Sequence, residues 1–324
     1  MRVLVVLLNY KTADMTIKAL DALLPELRKL DDAHRAQGGA KVCIVDNDSQ
    51  DGSYEKLAAR GERDKDVVTV VASGHNGGYG FGNNVALRRG LAATGLERPD
   101  FFYLLNSDAF VEGPTLETLL AYMDEHPDVG MAGGDIHGTD GEPHTAAFTY
   151  PTLWSEIEGS VRLGVVTKLL RDRVVPRKTP AHDTDDVDWV PGASLIIRRQ
   201  VLEQIGLFDE TFFLYYEETD LCRRAKLAGF KVAFVKAASV AHIAGASTGV
   251  NKANTKKKRT PGFLLDSRRH YFLKHHGRAY LWAANVAYAA GLASYRVRYR
   301  VQGKNDPDYE RALLDFVEHC VRHP

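Results

Sequence analysis

Short apolar runs alternate with stretches of helical apolar spacing through the first third of the chain. The runs predict strands at residues 3–8, 42–45, 67–72 and 101–105, and helices are predicted over 16–30 and 83–94. This alternation predicts an α/β fold with a doubly wound, mostly parallel, Rossmann-like sheet. Such a sheet binds ligands at the carboxyl ends of its strands.

The second half of the chain is less regular. Strands are predicted at residues 194–197 and 232–235 and helices at 199–205 and 217–227, with a further strand starting near residue 131. Residues 151–186 are polar and rich in predicted loops. We therefore expect that stretch to form surface loops outside the core of the fold.

The composition excludes several classes of protein. The 324 residues carry 42 basic and 42 acidic side chains, so no overall field attracts nucleic acid. The three cysteines, Cys43, Cys222 and Cys320, lack metal-ligand spacing and suit a reducing cytoplasm. The first apolar run is too short for a signal peptide, and no window reaches the roughly 18 apolar residues of a membrane-spanning helix. We therefore expect a cytoplasmic protein without a nucleic-acid partner.

The chain changes in character from Lys256 onward. Basic, aromatic and apolar residues mix over 256–300, and a helix rich in Ala and Tyr is predicted near 279–295. Two interpretations stay open. The segment either lies on a membrane surface as an amphipathic element, or presents the solvated basic face of a C-terminal helical hairpin.

Three polar clusters carry the candidate chemistry. The first, Asn106-Ser107-Asp108, ends a predicted strand; the second runs from Trp189 through Gly192 to Ser194; the third is Glu217-Glu218-Thr219-Asp220. In this order they resemble the inverting family 2 glycosyltransferases of the GT-A fold, and within these the rhamnosyltransferase-like branch. The resemblance covers roughly residues 1–275.

The resemblance implies a division of the chain into two parts. A GT-A catalytic domain is expected over residues 1–255, with a nucleotide-binding half at about 1–110 and an acceptor half at about 111–255. A basic, helical C-terminal extension is expected over residues 256–324.

The resemblance also implies a slot for the donor nucleotide at the strand ends. Asp46 would accept the imide N–H of uracil or thymine, within a family-like pattern in which Gln50 here stands before Asp51. The other strand-end residues assigned to the nucleotide sugar are Asn9, Tyr10, Asp48 and Asn106. The pattern at Asp46 is equally typical of a turn that opens a helix at Ser53, and both roles can hold at once.

A glycine-dense run over residues 76–84 precedes the second predicted helix. Its backbone N–H groups favour a phosphate or a closely passing sugar ring. The residues assigned to the donor here are Asn76, Gly77, Gly78, Gly82 and Asn83. The run follows the third strand and misplaces the last glycine of G-x-G-x-x-G, which disfavours a dinucleotide fingerprint. A plain glycine turn is the alternative.

The donor diphosphate is expected to bind through Mg²⁺ or Mn²⁺. Asp108 is the expected metal ligand, and Asn106 stands where the family often has the first acid of an Asp-x-Asp motif. One carboxylate can suffice, because these cations keep several waters and take phosphate oxygens. The resemblance implies His242 as a second ligand, which would favour Mn²⁺ somewhat. A purely structural histidine is the alternative.

The acidic pair that opens the predicted helix at 217–227 is expected to supply the general base. The resemblance places this role on the second acid, Glu218, with Glu217 as the alternative. Asp220 is expected to form a structural ion-pair set with Arg223 and Arg224.

The second cluster is expected to form a wall of the site. By resemblance Trp189 and Gly192 lie under the donor sugar and the acceptor, and core packing is the alternative for Trp189.

The implied reaction is inverting sugar transfer to a hydroxyl of a saccharide or a polyprenyl-diphosphate-linked saccharide, in cell-surface glycan synthesis. dTDP-L-rhamnose is the expected donor, with UDP-sugars (galactosyl, galactofuranosyl or N-acetylhexosaminyl donors) as the alternative. Further expectations are a homodimer and a peripheral contact with the inner face of the plasma membrane through 256–300.

Two other classes of protein fit the sequence less well. A nucleotidyltransferase would need a glycine-rich loop after the first strand, but residues 9–12 contain no glycine. A non-catalytic nucleotide- or glycan-binding protein would not need Asp108 and Glu218.

Overall fold

The structure is a computed structural model that describes residues 1–34, 39–185, 187–243, 259–304 and 308–323. Its strands are β1 (Val3–Asn9), β2 (Ala40–Asp46), β3 (Val68–Ala72), β4 (Phe101–Asn106), β5 (Ala109–Glu112), β6 (Val129–His137), β7 (Ser194–Arg198) and β8 (Lys231–His242). Its helices are α1 (Ala13–His34), α2 (Ser53–Gly61), α3 (Gly78–Ala92), α4 (Thr115–Glu125), α5 (Leu153–Val161), α6 (Gly164–Leu169), α7 (Arg199–Ile205), α8 (Glu217–Leu227), α9 (Gly262–His276), α10 (Arg278–Val301) and α11 (Ala312–Arg322). Residues 256–258, 305–307 and 324 of the predicted basic extension lie outside the described residues.

The eight strands form one mixed sheet in the order β3-β2-β1-β4-β7-β6-β8-β5. Strands β1 to β4 run parallel, as do β6 and β8. Strand β7 is antiparallel to both β4 and β6, and β5 is antiparallel to β8. The predicted α/β fold is confirmed. The apolar pattern of a strand does not encode its direction, so the reversal at β7 became visible only in the structure.

Both faces of the sheet are covered, which explains the nearly continuous apolar strands. On β1, Val5 and Leu7 join a buried cluster with Leu23 of α1. Val6, which points to the opposite face, joins a second cluster with Leu87 of α3. Each fully buried aliphatic side chain of this kind contributes about 1.5–3 kcal/mol to folding.

The chain divides into two compact units. Unit 1 contains Met1–Phe148, Lys178–Phe213 and Glu217–Asn251, and therefore the whole sheet. Unit 2 contains Thr149–Arg177, Leu214–Tyr216 and Lys252–Pro324. The sequence-based division at residue 255 places 149–177 with the sheet, whereas contacts group that segment with the C-terminal helices.

Unit 2 contains helices α5 and α6, which were not predicted inside the polar stretch 151–186. A reciprocal capping box between Thr152 and Ser155 starts α5. Helix α5 packs closely on α10, where a Cβ added to Gly291 would lie 2.0 Å from Ser160 Oγ. The stretch looked loop-like because its helices are short and their packing partner is more than one hundred residues away in sequence.

A buried arginine contacts several helices of unit 2. Arg268 of α9 donates to Glu156 of α5 at 2.6 Å and to Asn285 of α10 at 2.7 Å. Its guanidinium also lies 5.0 Å from the ring centroids of Phe272 and Phe316. Pairing and aromatic contact together offset the cost of burying this charge.

Helix α3 begins five residues earlier than predicted and includes most of the glycine run. Its glycines are close-packing positions: a Cβ on Gly82 would lie 2.4 Å from Leu8 Cδ1, and one on Gly90 would lie 2.4 Å from Phe102 Cε1. Glycine disfavours isolated helices, so the sequence pattern pointed to a loop. Tertiary packing on β1 and β4 overrides that preference.

No helix in the described parts of the chain combines the length and the hydropathy needed to cross a lipid bilayer.

We predict that Arg199→Met lowers the free energy of unfolding by about 2–3 kcal/mol. The buried Arg199 guanidinium donates to the carbonyls of Gly90 and Leu91 at 3.0 and 2.6 Å, where α3 ends, so its loss removes a partner from both carbonyls, of which only Gly90 keeps a bond, from the Ala93 N–H. Urea denaturation measures the change. The control, Arg98→Met, removes a half-buried surface arginine that also pairs with Glu203 and should cost under about 0.5 kcal/mol. Equal losses in both variants would contradict the capping role.

Candidate active site

The carboxyl ends of three parallel strands bring several predicted residues to one edge of the sheet. Asn9 at the end of β1 pairs in register with Asp46 at the end of β2. On the other side of β1, Leu8 pairs with Asn106 at the end of β4. The structure thus groups Asn9, Asp46 and Asn106 as the sequence predicted.

Asp46 is buried and hydrogen-bonded within this edge. Its Oδ1 accepts from Asn9 Nδ2 at 2.7 Å and from Ser49 Oγ at 2.6 Å, and its Oδ2 accepts from the Ser49 N–H at 3.1 Å. Asn9 is oriented in turn by Thr16, whose hydroxyl donates to Asn9 Oδ1 at 2.7 Å. The carboxylate is therefore held rigidly, and Oδ2 carries the smaller number of internal bonds.

The turn after β2 has the geometry of a turn that opens a helix, which was the alternative interpretation of the pattern at Asp46. Asp48 and Gln50 both adopt left-handed φ angles, 59° and 53°. Asp51 accepts from the Ser53 N–H at 3.1 Å and so opens α2. Asp48 is half-buried and accepts from the side chain of Gln50. Tyr10, also half-buried, lies with its ring centroid 5.2 Å from the Lys11 ammonium.

The glycine run forms a tight entry into α3. Asn76 Oδ1 accepts from the Gly78 N–H at 3.0 Å, and the Tyr79 N–H donates to the Phe213 carbonyl at 3.0 Å. Gly78 has φ +90°, and a Cβ there would lie 1.9 Å from the Phe213 oxygen, so only glycine fits. Two N–H groups at the start of α3 are therefore already engaged within the protein.

Gly77 and Asn83 complete this entry. A Cβ on Gly77 would lie 2.4 Å from the Phe81 ring, and the buried Asn83 donates to the Tyr79 carbonyl at 3.0 Å. Both positions are thus constrained by local packing.

Asn47 joins the β2 turn to the glycine run and was not among the predicted site residues. Its Nδ2 donates to Asn76 Oδ1 at 2.9 Å and to the Gly78 carbonyl at 3.1 Å. Its buried Oδ1 has no hydrogen-bond partner among the described residues. A buried acceptor without a partner is uncommon in proteins, which marks this amide as a candidate ligand contact.

The Gly192 peptide links the second and third clusters through Tyr79. The Tyr79 hydroxyl donates to the Gly192 carbonyl at 2.7 Å, and the Gly192 N–H donates to the carboxylate of Glu218. A Cβ on Gly192 would lie 2.5 Å from the Tyr79 hydroxyl oxygen, so this close approach needs glycine. Sequence reasoning missed Tyr79, whose only signal was its place inside the glycine run.

The electrostatics of Tyr79 show which acids surround it. Burial raises the pKa of Tyr79 well above its ordinary value, and the negative charges of Glu218, Glu217 and Asp108 raise it further. These three carboxylates therefore lie near one tyrosine hydroxyl, and the structure brings the first and third clusters together. Tyr79 stays neutral and can act only as a hydroxyl.

Glu218 lies half-buried in the first turn of α8. Burial raises the pKa of Glu218, and its bonds from its own N–H and from the Gly192 N–H oppose that rise. Its Oε2 is buried and has no hydrogen-bond partner among the described residues. A carboxylate with one oxygen anchored and the other unpartnered is suited to accept a proton.

The other two acids of the cluster that opens α8 have different surroundings. Asp220 is fully buried and pairs with Arg224 at 2.8 Å, and Arg224 also donates to the carbonyls of Ile205 and Leu207. This is the expected structural ion pair. Glu217 is 2% exposed and also lies near Tyr79, so it stays the alternative base.

Asp108 and His242 lie side by side. Strands β5 and β8 pair Ala109 with His242, which sets the His242 Nε2 3.2 Å from Asp108 Oδ1. Both side chains are largely buried, at 7% and 15% exposure. One carboxylate oxygen and one imidazole nitrogen at this separation fit two neighbouring ligands of a divalent cation, and the set resembles a Mn²⁺ or Mg²⁺ site completed by phosphate and water.

Trp189 packs within unit 1. Its ring stacks on Phe148 at 4.1 Å between centroids and 14° between planes, and it borders the buried cluster on that face of the sheet. Core packing therefore accounts for one side of the half-buried Trp189 ring, and its place under the donor sugar stays a prediction.

Comparisons with known protein sequences show the family of this chain. The sequence profile described as "Glycosyltransferase like family 2" matches residues 28–260. An N-acetylglucosaminyl-diphospho-decaprenol L-rhamnosyltransferase of Mycobacterium tuberculosis is 30% identical over 241 residues, 69% of this chain and 74% of the relative. Rhamnosyltransferase WbbL of Escherichia coli is 22% identical over 62% of this chain and 77% of its own length.

Solved structures show the same fold at low identity. The mannosyltransferase PcManGT from Pyrobaculum calidifontis, in complex with GDP-Man and Mn²⁺, matches with a TM-score of 0.56 and 17% identity, over 99% of this chain and 79% of that chain. GalNAc-T7, with UDP, GalNAc and Mn²⁺, matches with a TM-score of 0.59 and 14% identity, over 99% of this chain and 54% of that chain.

The profile match covers more than half of the chain. The chain therefore belongs to glycosyltransferase family 2 and is a rhamnosyltransferase-like glycosyltransferase with a GT-A fold.

Proposed function

We propose that this enzyme transfers L-rhamnose from dTDP-L-rhamnose, with inversion, to a hydroxyl of a lipid-linked saccharide in cell-surface glycan synthesis. Its rhamnosyltransferase relatives, one of which is named for a decaprenol-linked substrate, support the donor and the acceptor class. UDP-sugars stay the alternative donors.

The observation that carries the proposal is the environment of Glu218. Its carboxylate is anchored by the Gly192 N–H, its Oε2 is buried without a partner among the described residues, and burial raises its pKa. A carboxylate whose proton affinity is increased by burial is a stronger base toward an attacking hydroxyl than an exposed one.

Asp108 and His242 are the residues that would hold Mg²⁺ or Mn²⁺. When bound there, the cation would neutralise charge that develops on the leaving nucleoside diphosphate. Asn106 adds no charge, so the protein contributes a single carboxylate from this motif.

The remaining residues position the substrates. Asp46 would accept the N–H of a uracil or thymine ring through Oδ2, which has fewer internal bonds than Oδ1. Tyr79 holds the Gly192 peptide, which in turn orients Glu218. Glu218 would take the proton of the acceptor hydroxyl as that oxygen attacks the anomeric carbon from the face opposite the diphosphate.

A thermal-shift screen of nucleotide sugars with and without Mn²⁺ tests the proposal. Stabilisation grows as RT ln(1 + [L]/Kd), so dTDP-L-rhamnose should raise Tm more than UDP-sugars, and more with metal than without. A donor-hydrolysis assay then separates an enzyme from a nucleotide-binding protein. A larger shift with a UDP-sugar would replace the proposed donor.

We predict that Asp108→Asn abolishes metal-dependent donor binding while the fold stays intact. The change removes the only carboxylate of the proposed ligand pair, so Mn²⁺ affinity should fall by about 100-fold or more, beyond the 10–100-fold typical of losing an outer partner. Calorimetry with Mn²⁺ and dTDP measures it, and Asp124→Asn on the exposed face of α4 is the control. Full activity of Asp108→Asn, or activity insensitive to EDTA, would exclude the metal role.

We predict that Glu218→Gln lowers kcat by about 10²–10⁴ with little change in donor affinity, because an amide cannot accept the proton. Steady-state kinetics with the preferred donor measure both constants. The matched variant is Glu217→Gln, which alters the neighbouring buried acid. If Glu217→Gln shows the large loss and Glu218→Gln does not, the base is Glu217.

The raised pKa of Glu218 also predicts a pH dependence. Only the ionised form accepts a proton, so kcat should fall as pH drops through the pKa of Glu218. Since burial raises that pKa, the acid limb should lie above the value of about 4.3 expected for an ordinary glutamate. A pH–rate profile whose acid limb matches an unperturbed carboxylate would contradict this assignment.

We predict that Asp46→Asn weakens binding of both dTDP and UDP by about 1.5–3 kcal/mol, the range for a hydrogen bond to a charged group. Calorimetry measures the affinities. Ser49→Ala is the control, because it removes the hydroxyl bond to Asp46 Oδ1 while it keeps the Ser49 N–H bond to Oδ2 and the charge of Asp46. Equal losses in the two variants would assign the effect to the loop and not to base recognition.

A further inference from the structure

Exposed apolar side chains are concentrated in unit 2. Eleven of the sixteen large apolar residues that are exposed among the described residues belong to it, although unit 1 is about twice as long. They are Trp154, Leu163, Val165, Leu169, Trp282, Val286, Val297, Val301, Leu314, Val317 and Val321. Scattered exposed apolar residues are normal, but such a concentration marks an interaction surface.

Helix α10 carries the longest part of this surface. Its exposed apolar and small residues recur every three or four positions, which places them on one side of the helix. They are Trp282, Val286, Ala290, Ala293, Val297 and Val301, of which only Ala293 is half-buried. We name this set the α10 stripe.

The other side of α10 is already buried. Leu281, Ala284, Leu292 and Tyr295 are each at most 4% exposed. The helix is therefore apolar on two sides, and only one of them is used within unit 2. A helix of this kind in water needs a second partner for its other side.

The charge of unit 2 indicates what that partner is. Its described residues hold sixteen Lys and Arg against eight Asp and Glu, in a chain whose charges balance overall. Arg300 and Lys304 are exposed beside Val301 at the end of the α10 stripe. An apolar stripe with basic residues at its edge matches an anionic lipid surface.

Tryptophan placement agrees with that match. Two of the three tryptophans in the chain are exposed in unit 2, Trp282 at 71% and Trp154 at 51%. The Leu153 N–H donates to the Tyr280 hydroxyl at 2.7 Å, so Trp154 and Trp282 lie near the same end of the α5–α10 pair. Tryptophan side chains favour the headgroup region of bilayers, where an apolar ring can keep its N–H hydrated.

We propose that unit 2 binds an anionic lipid bilayer through the α10 stripe, lying in the interface without crossing it. The inference rests on the proposed function only for its purpose, which is access to a lipid-linked acceptor. A second copy of the chain is the competing occupant of the stripe. It is disfavoured because two units with this excess of positive charge would repel each other.

Vesicle co-sedimentation of the full-length chain tests the proposal, with phosphatidylglycerol vesicles at low and high salt and phosphatidylcholine vesicles for comparison. Binding to the anionic vesicles is expected at low salt and should weaken as salt rises. The double variant Trp282→Gln/Val297→Gln should abolish it. Arg300→Gln/Lys304→Gln should weaken it by about an order of magnitude or more, at about fivefold per basic side chain. The control Leu96→Gln/Lys18→Gln changes an exposed apolar and an exposed basic residue of unit 1 and should bind like the parent chain.

Fluorescence locates the contact. Vesicles that contain brominated lipid should quench the parent chain and the Trp189→Phe variant, whereas Trp282→Phe should lose most of the quenching. Absence of binding at low salt, or binding that the α10 variants leave unchanged, overturns the proposal. So does a dimer, measured by analytical ultracentrifugation, that Trp282→Gln/Val297→Gln dissociates, since the stripe would then be a subunit interface.

Donor binding separates this proposal from the proposed function. Calorimetry of the α10 variants with the donor nucleotide and Mn²⁺ should match the parent chain, because unit 1 holds every residue assigned to the donor. Loss of vesicle binding with intact donor binding therefore concerns the α10 stripe alone. If the parent chain does not bind the donor, that result counts against the proposed function and leaves the membrane proposal unaffected.

Discussion

Burial of the parallel strands on both faces is the constraint on which the site depends. Because β1, β2 and β4 are covered by helices on each side, their side chains are apolar until the strands end, apart from Lys41 near the start of β2. The polar groups of the site therefore lie at the carboxyl edge, where Asn9, Asp46 and Asn106 stand in register. The apolar core thus decides where chemistry can occur in this chain.

Two carboxylates, the buried Asp46 at this edge and the half-buried Glu218 on α8, have different surroundings. Asp46 accepts three hydrogen bonds from Asn9 and Ser49, which suits a fixed acceptor for a ligand N–H. Glu218 accepts from its own N–H and from the Gly192 N–H, and its Oε2 has no partner among the described residues, which suits proton transfer. The same functional group is thus adapted to binding in one place and to acid–base chemistry in the other.

Glycine makes these surroundings possible at two points. At Gly192 any side chain would displace Tyr79, and at Gly78 any side chain would strike the Phe213 carbonyl. Both contacts join segments more than one hundred residues apart, so the site is assembled by close backbone approach. Unit 2 is organised differently. The buried Arg268 network holds its helices together, and one side of α10 is apolar and exposed.

The sequence by itself determined the α/β class, the strand ends and the residue types of the candidate site. Apolar runs that stop at Asp46 and Asp108 are local signals, and the acidic pair before α8 needed only its neighbours to be noticed. Tertiary structure alone decided the reversal of β7, the helical state of the glycine run, and the grouping of α5 with α10. These depend on contacts between distant segments, which local propensity does not encode. Tyr79 is the clearest case, because its role comes from a hydrogen bond to Gly192, 113 residues further along the chain.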